Sequence, residues 1–136
     1  FFVTCYDAAT SPMRPPTARE LERLQEQVYD DLALRYGPGP GRSGLLLVAR
    51  EAGGAISGCI GVEKVAFNEL VASPGVLGSL GASQEQRPVA YMSNLAVLQR
   101  TRGRGVGRRL ILEAEAAAQR VLRLQEVVLM VNAENR

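Results

Sequence analysis

The sequence contains no histidine and only two cysteines, Cys5 and Cys59, among its 136 residues. Without histidine it cannot form the Ser-His or Cys-His pairs of many hydrolases, and two cysteines are too few for a usual zinc or iron–sulfur site. We therefore expect no metal. Both thiols are expected to be reduced and packed in the interior, which favours an intracellular location.

Aromatic residues make up only 5% of the chain, and the formal net charge is +2. Few aromatic side chains leave few surfaces on which nucleic-acid bases could stack, and so small a charge gives no argument for a polyanionic partner. No apolar run reaches the roughly 20 residues that a membrane-spanning helix needs. We expect neither nucleic acid nor membrane as a partner.

The chain begins at Phe1 rather than at a methionine and stops at Arg136, directly after a predicted strand. Its length suits one domain with a real core. We expect residues 1–136 to be a single partial domain, an internal fragment of a longer protein. Cytoplasm and an organelle such as a plastid both stay open as locations, because a targeting segment would precede Phe1.

Local patterns predict a mixed α/β order of strand, helix, strand, strand, strand, helix, strand. Thr17 and Glu20 form a capping box that opens the first helix, and Gly53 and Gly54 suit a tight hairpin between antiparallel strands. The second helix, from Gly107, leads to an apolar strand that would run parallel to the strand before it through a right-handed crossover. The predicted strands span residues 1–5, 45–50, 56–67, 89–97 and 126–131, with a long loop at 68–88.

Both predicted helices carry apolar residues at helical spacing, which indicates one face turned towards a core. In the first helix these are Leu21, Leu24, Val28 and Leu32. In the second they are Leu110, Ile111, Ala114, Ala117, Ala118, Val121 and Leu122.

A glycine-rich and arginine-rich segment, residues 99–109, joins the strand ending at Val97 to the second helix. Glycines let a backbone approach a ligand closely, and the first turn of a helix has N–H groups without intrahelical acceptors. Five arginines between Arg100 and Arg109 add positive charge. The segment therefore predicts a phosphate or pyrophosphate site.

Spacing narrows the kind of phosphate site. A P-loop requires Lys and then Ser or Thr after its last glycine, but Arg108 and Arg109 stand there. A dinucleotide fingerprint would need a third glycine at position 108. The pattern that does fit is Arg-x-x-Gly-x-Gly, at Arg102, Gly105 and Gly107.

With its flanking strands, this pattern resembles the acetyl-CoA-binding core of the GNAT-type N-acetyltransferases. The resemblance is carried by Asn94-Leu95-Ala96-Val97, by residues 102–110 and by residues 127–135, and it covers Val89 to Arg136 closely. The first 88 residues agree in the order of their elements only. The resemblance implies a GNAT-like α/β (α+β mixed sheet) fold, here lacking the last helix and strands.

The resemblance also implies that acetyl-CoA is the co-substrate, that an amine is the acceptor, and that transfer is direct without an acetylated enzyme. The backbone of the strand ending at Val97 would pair with the pantetheine, and the glycine turn would hold the pyrophosphate. Asn135 would contact the pantetheine arm, although a strand-end turn residue without that role is equally consistent with its position. The implied binding residues are Leu95, Ala96, Val97, Arg102, Gly103, Arg104, Gly105, Val106, Gly107, Arg108 and Asn135.

The sequence departs from the family at the positions where the family carries its catalytic groups. Met130 stands where ribosomal-protein N-terminal acetyltransferases carry a glutamate base, and the tyrosine that many members use as general acid would lie beyond Arg136. The remaining candidates are Glu63, a water held near Tyr91 or Ser93, and residues outside the sequence. Glu63 and Tyr91 could also be strand residues without a catalytic role.

Two other functions stay open from the sequence. One is a nucleic-acid-binding module that uses residues 100–109 as a phosphate clamp, and the other is a GNAT fold that binds CoA without catalysis. The acceptor is equally open among aminoglycosides, polyamines, protein N-termini and lysines. By the resemblance, the loop at 68–88 borders the acceptor cleft.

Overall fold

The computed structural model describes residues 17–40, 44–67 and 87–130. The predicted strand at 1–5, most of the predicted loop at 68–88, and Asn135 lie outside these ranges. The elements are α1 (Ala18–Tyr36), β1 (Leu45–Arg50), β2 (Ile56–Ala66), β3 (Pro88–Val97), a 3-10 turn (Gln99–Thr101), α2 (Val106–Arg120) and β4 (Val127–Leu129).

The predicted capping box at the start of α1 is confirmed. The Glu20 N–H donates to the Thr17 hydroxyl at 3.3 Å, and the Thr17 N–H donates to the Glu20 carboxylate at 2.7 Å. This arrangement satisfies two of the amides that a helix start leaves without acceptors. The four apolar residues predicted to face inward on α1 are all half-buried.

The strands form one mixed sheet in the order β1-β2-β3-β4. β1 and β2 are antiparallel, as predicted, and their hairpin closes through a hydrogen bond from the Glu51 N–H to the Ala55 carbonyl at 2.8 Å. Gly54 has a φ of +83°, a conformation that glycine adopts at little cost. The hairpin predicted from the two glycines is therefore confirmed.

α2 connects two parallel strands, which confirms the predicted crossover. β4 pairs with β3 from Ala90–Val127 to Met92–Leu129. The strand is shorter than the predicted 126–131, and Met130 lies beyond its end. The pairing stops where β3 becomes irregular, just after Met92.

The core lies between the sheet and α2. Ile60, Val62 and Met92 are buried there with Leu110 and the alanines of α2. Gly58 permits this close packing, because a Cβ at that position would lie 2.9 Å from Leu110 Cδ1. The prediction that Val121 faces inward is wrong: its side chain is 60% exposed, since α2 ends at Arg120 and the chain turns away.

Candidate active site

The segment between β3 and α2 forms a tight turn that depends on two glycines. Gly103 and Gly105 have φ values of +72° and +76°, in the left-handed region that residues with a Cβ seldom occupy. A Cβ at either position would meet no atom within 4 Å. The glycines are thus required by the backbone conformation, and the space next to them is open.

The N–H groups of this turn have no hydrogen-bond acceptor in the part of the chain that the structure describes. The first helical hydrogen bond of α2 runs from the Arg109 N–H to the Gly105 carbonyl, and among the described residues no hydrogen bond is donated by the six amides from Gly103 to Arg108. The helix has no side-chain cap and no acidic residue in its first turn. This positive helix terminus is therefore available to an anion.

The arginines around the turn divide into two groups. Arg100 pairs with Glu51 at 2.8 Å, and Arg102 Nε donates to the Val97 carbonyl at 3.1 Å. Arg104, Arg108 and Arg109 are exposed and have no such partner among the described residues. Of the five arginines, Arg100 alone is paired with the carboxylate of a described residue; Arg102 keeps its charge, because a carbonyl is neutral, but its side chain is held at the end of β3.

β3 contains a bulge at Asn94. β2 advances two residues from Cys59 to Gly61 while β3 covers three, from Ala96 back to Ser93. Asn94 has a φ of +57°, and a left-handed conformation costs most residues ~1–2 kcal/mol although asparagine tolerates it. The extra residue therefore needs support from its surroundings.

The bulge changes which residues direct their backbone N–H and C=O groups to each edge of β3. Before it, the Ala90 N–H donates to the Glu126 carbonyl, so even-numbered residues face β4. After it, the Leu98 N–H donates to the carbonyl of Ser57 in β2, so even-numbered residues face β2 instead. One inserted residue has this effect because backbone groups alternate along a strand.

Leu95 and Val97 consequently direct their backbone groups to the outer edge of β3, away from β2, and Ala96 directs its groups towards β2. The hydrogen bond from Arg102 to the Val97 carbonyl is consistent with this assignment. No described strand pairs with the outer edge beyond Met92. Of the three residues expected to pair with a ligand, the geometry thus favours Leu95 and Val97.

On the face of the sheet next to α1, five polar residues form a connected group, here called the Tyr36 cluster: Arg35, Tyr36, Glu63, Ser93 and Asn94. The Arg35 guanidinium bonds the Glu63 carboxylate and donates to Ser93 Oγ at 3.0 Å. Tyr36 Oη lies 3.0 Å from Ser93 Oγ and accepts from Asn94 Nδ2 at 3.3 Å. The cluster thereby links the end of α1 to the bulge.

Gly61 makes room for this cluster. A Cβ at position 61 would lie 2.0 Å from Tyr36 Oη and 2.4 Å from the ring carbon that carries it. The tyrosine ring therefore lies over β2 at Gly61, where the strand has no side chain. Its hydroxyl reaches Ser93, which pairs with Gly61 across the sheet.

A count of hydrogen bonds shows that one hydroxyl proton in the cluster is unused. The Arg35 guanidinium and Asn94 Nδ2 are donors, so they occupy acceptor positions on Ser93 Oγ and Tyr36 Oη respectively. One of the two hydroxyls donates to the other. The second proton has no acceptor among the described residues and is available to a ligand.

The pKa values of two tyrosines and one arginine in this region are raised. Burial raises the pKa of Tyr36 and that of Tyr91 above the usual value, so both phenols remain neutral at physiological pH. The hydrogen bond to Glu63 raises the pKa of Arg35 above its usual range. Neither tyrosine is thus a proton acceptor at neutral pH, although each can donate.

Glu63 and Tyr91 lie opposite each other on β2 and β3. Both carboxylate oxygens of Glu63 contact Arg35, with Oε2 3.4 Å from Arg35 Nε, and the side chain is only 18% exposed. A proton arriving at Glu63 would therefore disturb this ion pair. Tyr91 is half-buried, and its hydroxyl makes no hydrogen bond to another described residue.

Sequence reasoning did not identify Arg35, Tyr36 or Asn94 as site residues. Arg35 and Tyr36 looked like the end of an ordinary amphipathic helix. The signal that could have indicated the cluster is Gly61 in the interior of β2, since an interior strand glycine often marks a close approach by another group.

In residues 17–40, 44–67 and 87–130, no three histidine, cysteine, aspartate or glutamate side chains lie together as a group that could hold a metal ion. Neither described helix is both long enough and apolar enough to cross a membrane.

Comparisons with known proteins agree with the resemblance seen in the sequence. The profile of the acetyltransferase (GNAT) family matches residues 5–136. Among curated protein sequences, none matches significantly.

Solved structures with a similar fold include several acetyltransferases. A GCN5-related N-acetyltransferase from Ralstonia eutropha has a TM-score of 0.59 and 23% identity, covering 97% of this chain and 72% of that one. A glucosamine-6-phosphate N-acetyltransferase from Arabidopsis thaliana has 0.54 and 15%, covering 99% and 75%. A predicted acetyltransferase from Clostridium acetobutylicum, solved with acetyl-CoA, has 0.53 and 11%, also covering 99% and 75%. At these identities the likeness shows the fold.

Proposed function

Since the chain belongs to the acetyltransferase (GNAT) family, we propose that it transfers an acetyl group from acetyl-CoA to a primary amine. The observation that carries the proposal is two neighbouring groups of backbone donors that have no acceptor among the described residues. One group is Leu95 and Val97 on the outer edge of β3, and the other is the amides from Gly103 to Arg108.

The residues of the turn fit a CoA pyrophosphate. Consecutive amides at a helix start bind phosphate oxygens, the open space beside Gly103 and Gly105 admits them, and Arg104 and Arg108 add charge. The edge of β3 fits the pantetheine, whose amides can pair with a strand as a further strand would. When bound, acetyl-CoA supplies the activated acetyl group.

The outer edge of β3 also suits the charge that develops during transfer. Attack by an amine on a thioester places negative charge on the former carbonyl oxygen, and fixed N–H donors stabilise such charge. We assign this role to the outward amides of Leu95 and Val97. Their orientation follows from the bulge and needs no rearrangement of the strand.

The reaction must also move protons. A lysine amine, with a pKa of about 10.4, is harder to deprotonate than an α-amine, whose pKa is about 7.7–8.0. We propose Glu63 as the acceptor of this proton, through water, with Arg35 stabilising the charge when the proton leaves again. We propose Tyr91, which stays protonated at neutral pH, as a donor to the departing thiolate.

Isothermal titration calorimetry with acetyl-CoA, and with ATP and NAD as controls, tests the proposal first. Binding of acetyl-CoA at micromolar concentration, with much weaker binding of the controls, is expected. Release of the CoA thiol in the presence of a panel of amines tests transfer. Failure to bind acetyl-CoA below millimolar concentration would contradict the proposal.

The same measurements separate the alternatives. Tight binding of acetyl-CoA without thiol release on any amine would indicate a GNAT fold that binds CoA without catalysis. Binding of single-stranded RNA with a steep salt dependence, together with no affinity for acetyl-CoA, would indicate a phosphate clamp for nucleic acid. The ion pair of Arg100 with Glu51 reduces the charge available for such a clamp.

A further inference from the structure

We propose that the Tyr36 hydroxyl is a positioning group: it holds the bulge of β3 in place and thereby directs the amides of Leu95 and Val97 towards the substrate. This inference rests on the proposed function for its catalytic consequence. Its structural part, that Tyr36 fixes the bulge, can be tested separately.

The first step of the argument concerns the bulge itself. Its central residue, Asn94, has a left-handed conformation, and the neighbouring pairing with β4 ends before it at Met92. On the outer side, no described strand stabilises the irregular backbone. Support must therefore come from β2 or from side chains above the sheet.

The second step identifies that support. The Asn94 side chain donates to Tyr36 Oη, and the same oxygen lies 3.0 Å from Ser93 Oγ, so one hydroxyl contacts both residues at the start of the bulge. From the other side of the bulge, Cys59 Sγ lies 3.8 Å from the Asn94 carbonyl. The asparagine is thus fixed through its side chain and its backbone.

The third step explains why Tyr36 reaches this position. Gly61 leaves the space for the ring, and Arg35 ties the end of α1 to Glu63 and Ser93. Because α1 contributes both residues, the geometry of the bulge is coupled to the docking of the helix end on the sheet.

The consequence for catalysis follows from the alternation of backbone groups. Without the bulge, Ala96 rather than Leu95 and Val97 would face the outer edge, because a shift of one residue exchanges the two edges. A bulge that fluctuates would present the wrong amides for part of the time. Loss of the Tyr36 hydroxyl should therefore lower the rate of transfer without removing the pyrophosphate site.

The test compares Tyr36→Phe with Tyr29→Phe. Tyr29 lies on the same helix with its side chain 73% exposed, so the second variant is a matched control for loss of a phenol hydroxyl. For Tyr36→Phe we expect kcat to fall about tenfold, a fraction of what loss of a whole oxyanion donor costs. The dissociation constant for ADP, which has the pyrophosphate but no pantetheine, should stay within about twofold of the parent.

Variants of Asn94 test the same contact from its other partner. Both Asn94→Gly and Asn94→Ala remove the side-chain hydrogen bond to Tyr36. Glycine adopts the left-handed conformation at little cost, whereas alanine does not. We expect Asn94→Gly to keep more activity than Asn94→Ala. The losses in the double variant Tyr36→Phe/Asn94→Ala should be smaller than the sum of the two single losses, since both changes remove the hydrogen bond between Asn94 and Tyr36.

Nuclear magnetic resonance provides a readout that does not depend on activity. In Tyr36→Phe the amide signals of Leu95 and Val97 should shift or broaden, while those of the turn from Gly103 to Arg108 should not. If acetyl-CoA fails to bind the parent protein, the proposed function is wrong, and this measurement still tests the positioning role. Unchanged signals at Leu95 and Val97, a kcat equal to that of Tyr29→Phe, or additive losses in the double variant would each overturn the inference.

Discussion

The glycine turn and the Tyr36 cluster lie at the two ends of the same bulged segment, but they hold their polar groups in opposite ways. In the turn, six consecutive amides have no acceptor among the described residues and face solvent. In the cluster, five side chains are bonded to one another, and nearly every donor has an acceptor. One region is prepared for a ligand, whereas the other stabilises the protein's own backbone.

This difference determines which property of the protein a substitution in each region should change. The turn uses backbone groups that need little support, so changes there should alter binding more than folding. The cluster uses side chains whose removal leaves buried polar partners unsatisfied, which costs about 1–3 kcal/mol per group. Changes there should alter stability and rate together, and should affect CoA affinity least.

The largest effect is expected from Gly105→Val. Its side chain would enter the space beside the turn amides and weaken acetyl-CoA binding on the order of 100-fold. The positive φ of 76° adds a cost in stability of about 1–2 kcal/mol, so a loss of binding alone would be ambiguous. Calorimetric titration and thermal unfolding of the same samples check both quantities.

Gly54→Val is the matched control for this change. Gly54 has a similar φ of +83° and equally open surroundings, but it lies in the hairpin between β1 and β2. The two variants should lose similar stability, and only Gly105→Val should lose binding. Equal affinity of both variants for acetyl-CoA would show that the turn is not the pyrophosphate site.

The glycine turn could be predicted from the sequence, whereas the Tyr36 cluster could not. The turn could be predicted because its signals are local: Gly103, Gly105 and Gly107 fall within five residues, next to an apolar strand and a periodic helix. The order of elements, the hairpin and the parallel crossover followed from equally local patterns. The family and fold that were predicted from these local patterns were confirmed.

The cluster could not be predicted because its contacts join distant residues. Arg35 and Glu63 are 28 positions apart, and Arg35 and Ser93 are 58 apart. The bulge at Asn94 could not be predicted either, since asparagine in a strand does not by itself indicate an inserted residue. Only a register defined in three dimensions shows that Leu95 and Val97, rather than Ala96, face outward.

The second prediction concerns Gly61→Ala, which should destabilise the protein by about 2 kcal/mol. The added methyl group would lie 2.0 Å from Tyr36 Oη, so the ring must move away and lose its hydrogen bonds to Ser93 and Asn94. Chemical denaturation of the variant and the parent measures the loss.

The cost of Gly61→Ala should depend on the tyrosine ring. In a Tyr36→Ala background the methyl group has no ring to displace, so the same substitution should cost much less than in the parent. If the cost is equal in both backgrounds, the contact between Gly61 and Tyr36 does not determine the stability of this region.

A smaller effect separates the arginines of the turn. Arg104→Ala should weaken acetyl-CoA binding by about tenfold or less, because it removes a mobile charge but leaves the amides in place. Arg100→Ala should leave binding nearly unchanged, since Arg100 is paired with Glu51. Titrations at two salt concentrations check this, and a larger loss for Arg100→Ala would contradict the division of the arginines into two groups.

The smallest effect is a decline in stability at alkaline pH that originates in the Tyr36 cluster. A tyrosine in the unfolded chain ionises near pH 10, and burial raises the pKa of Tyr36 in the folded protein. Between these two values the folded protein retains a proton that the unfolded chain has lost, so the free energy of unfolding falls as the pH rises above about 10. Because the phenol is partly exposed, the loss should stay below about 1 kcal/mol. Denaturation at a series of pH values should show a shallower decline for Tyr36→Phe than for Tyr29→Phe, and equal slopes would mean that the Tyr36 hydroxyl is not held in a buried contact.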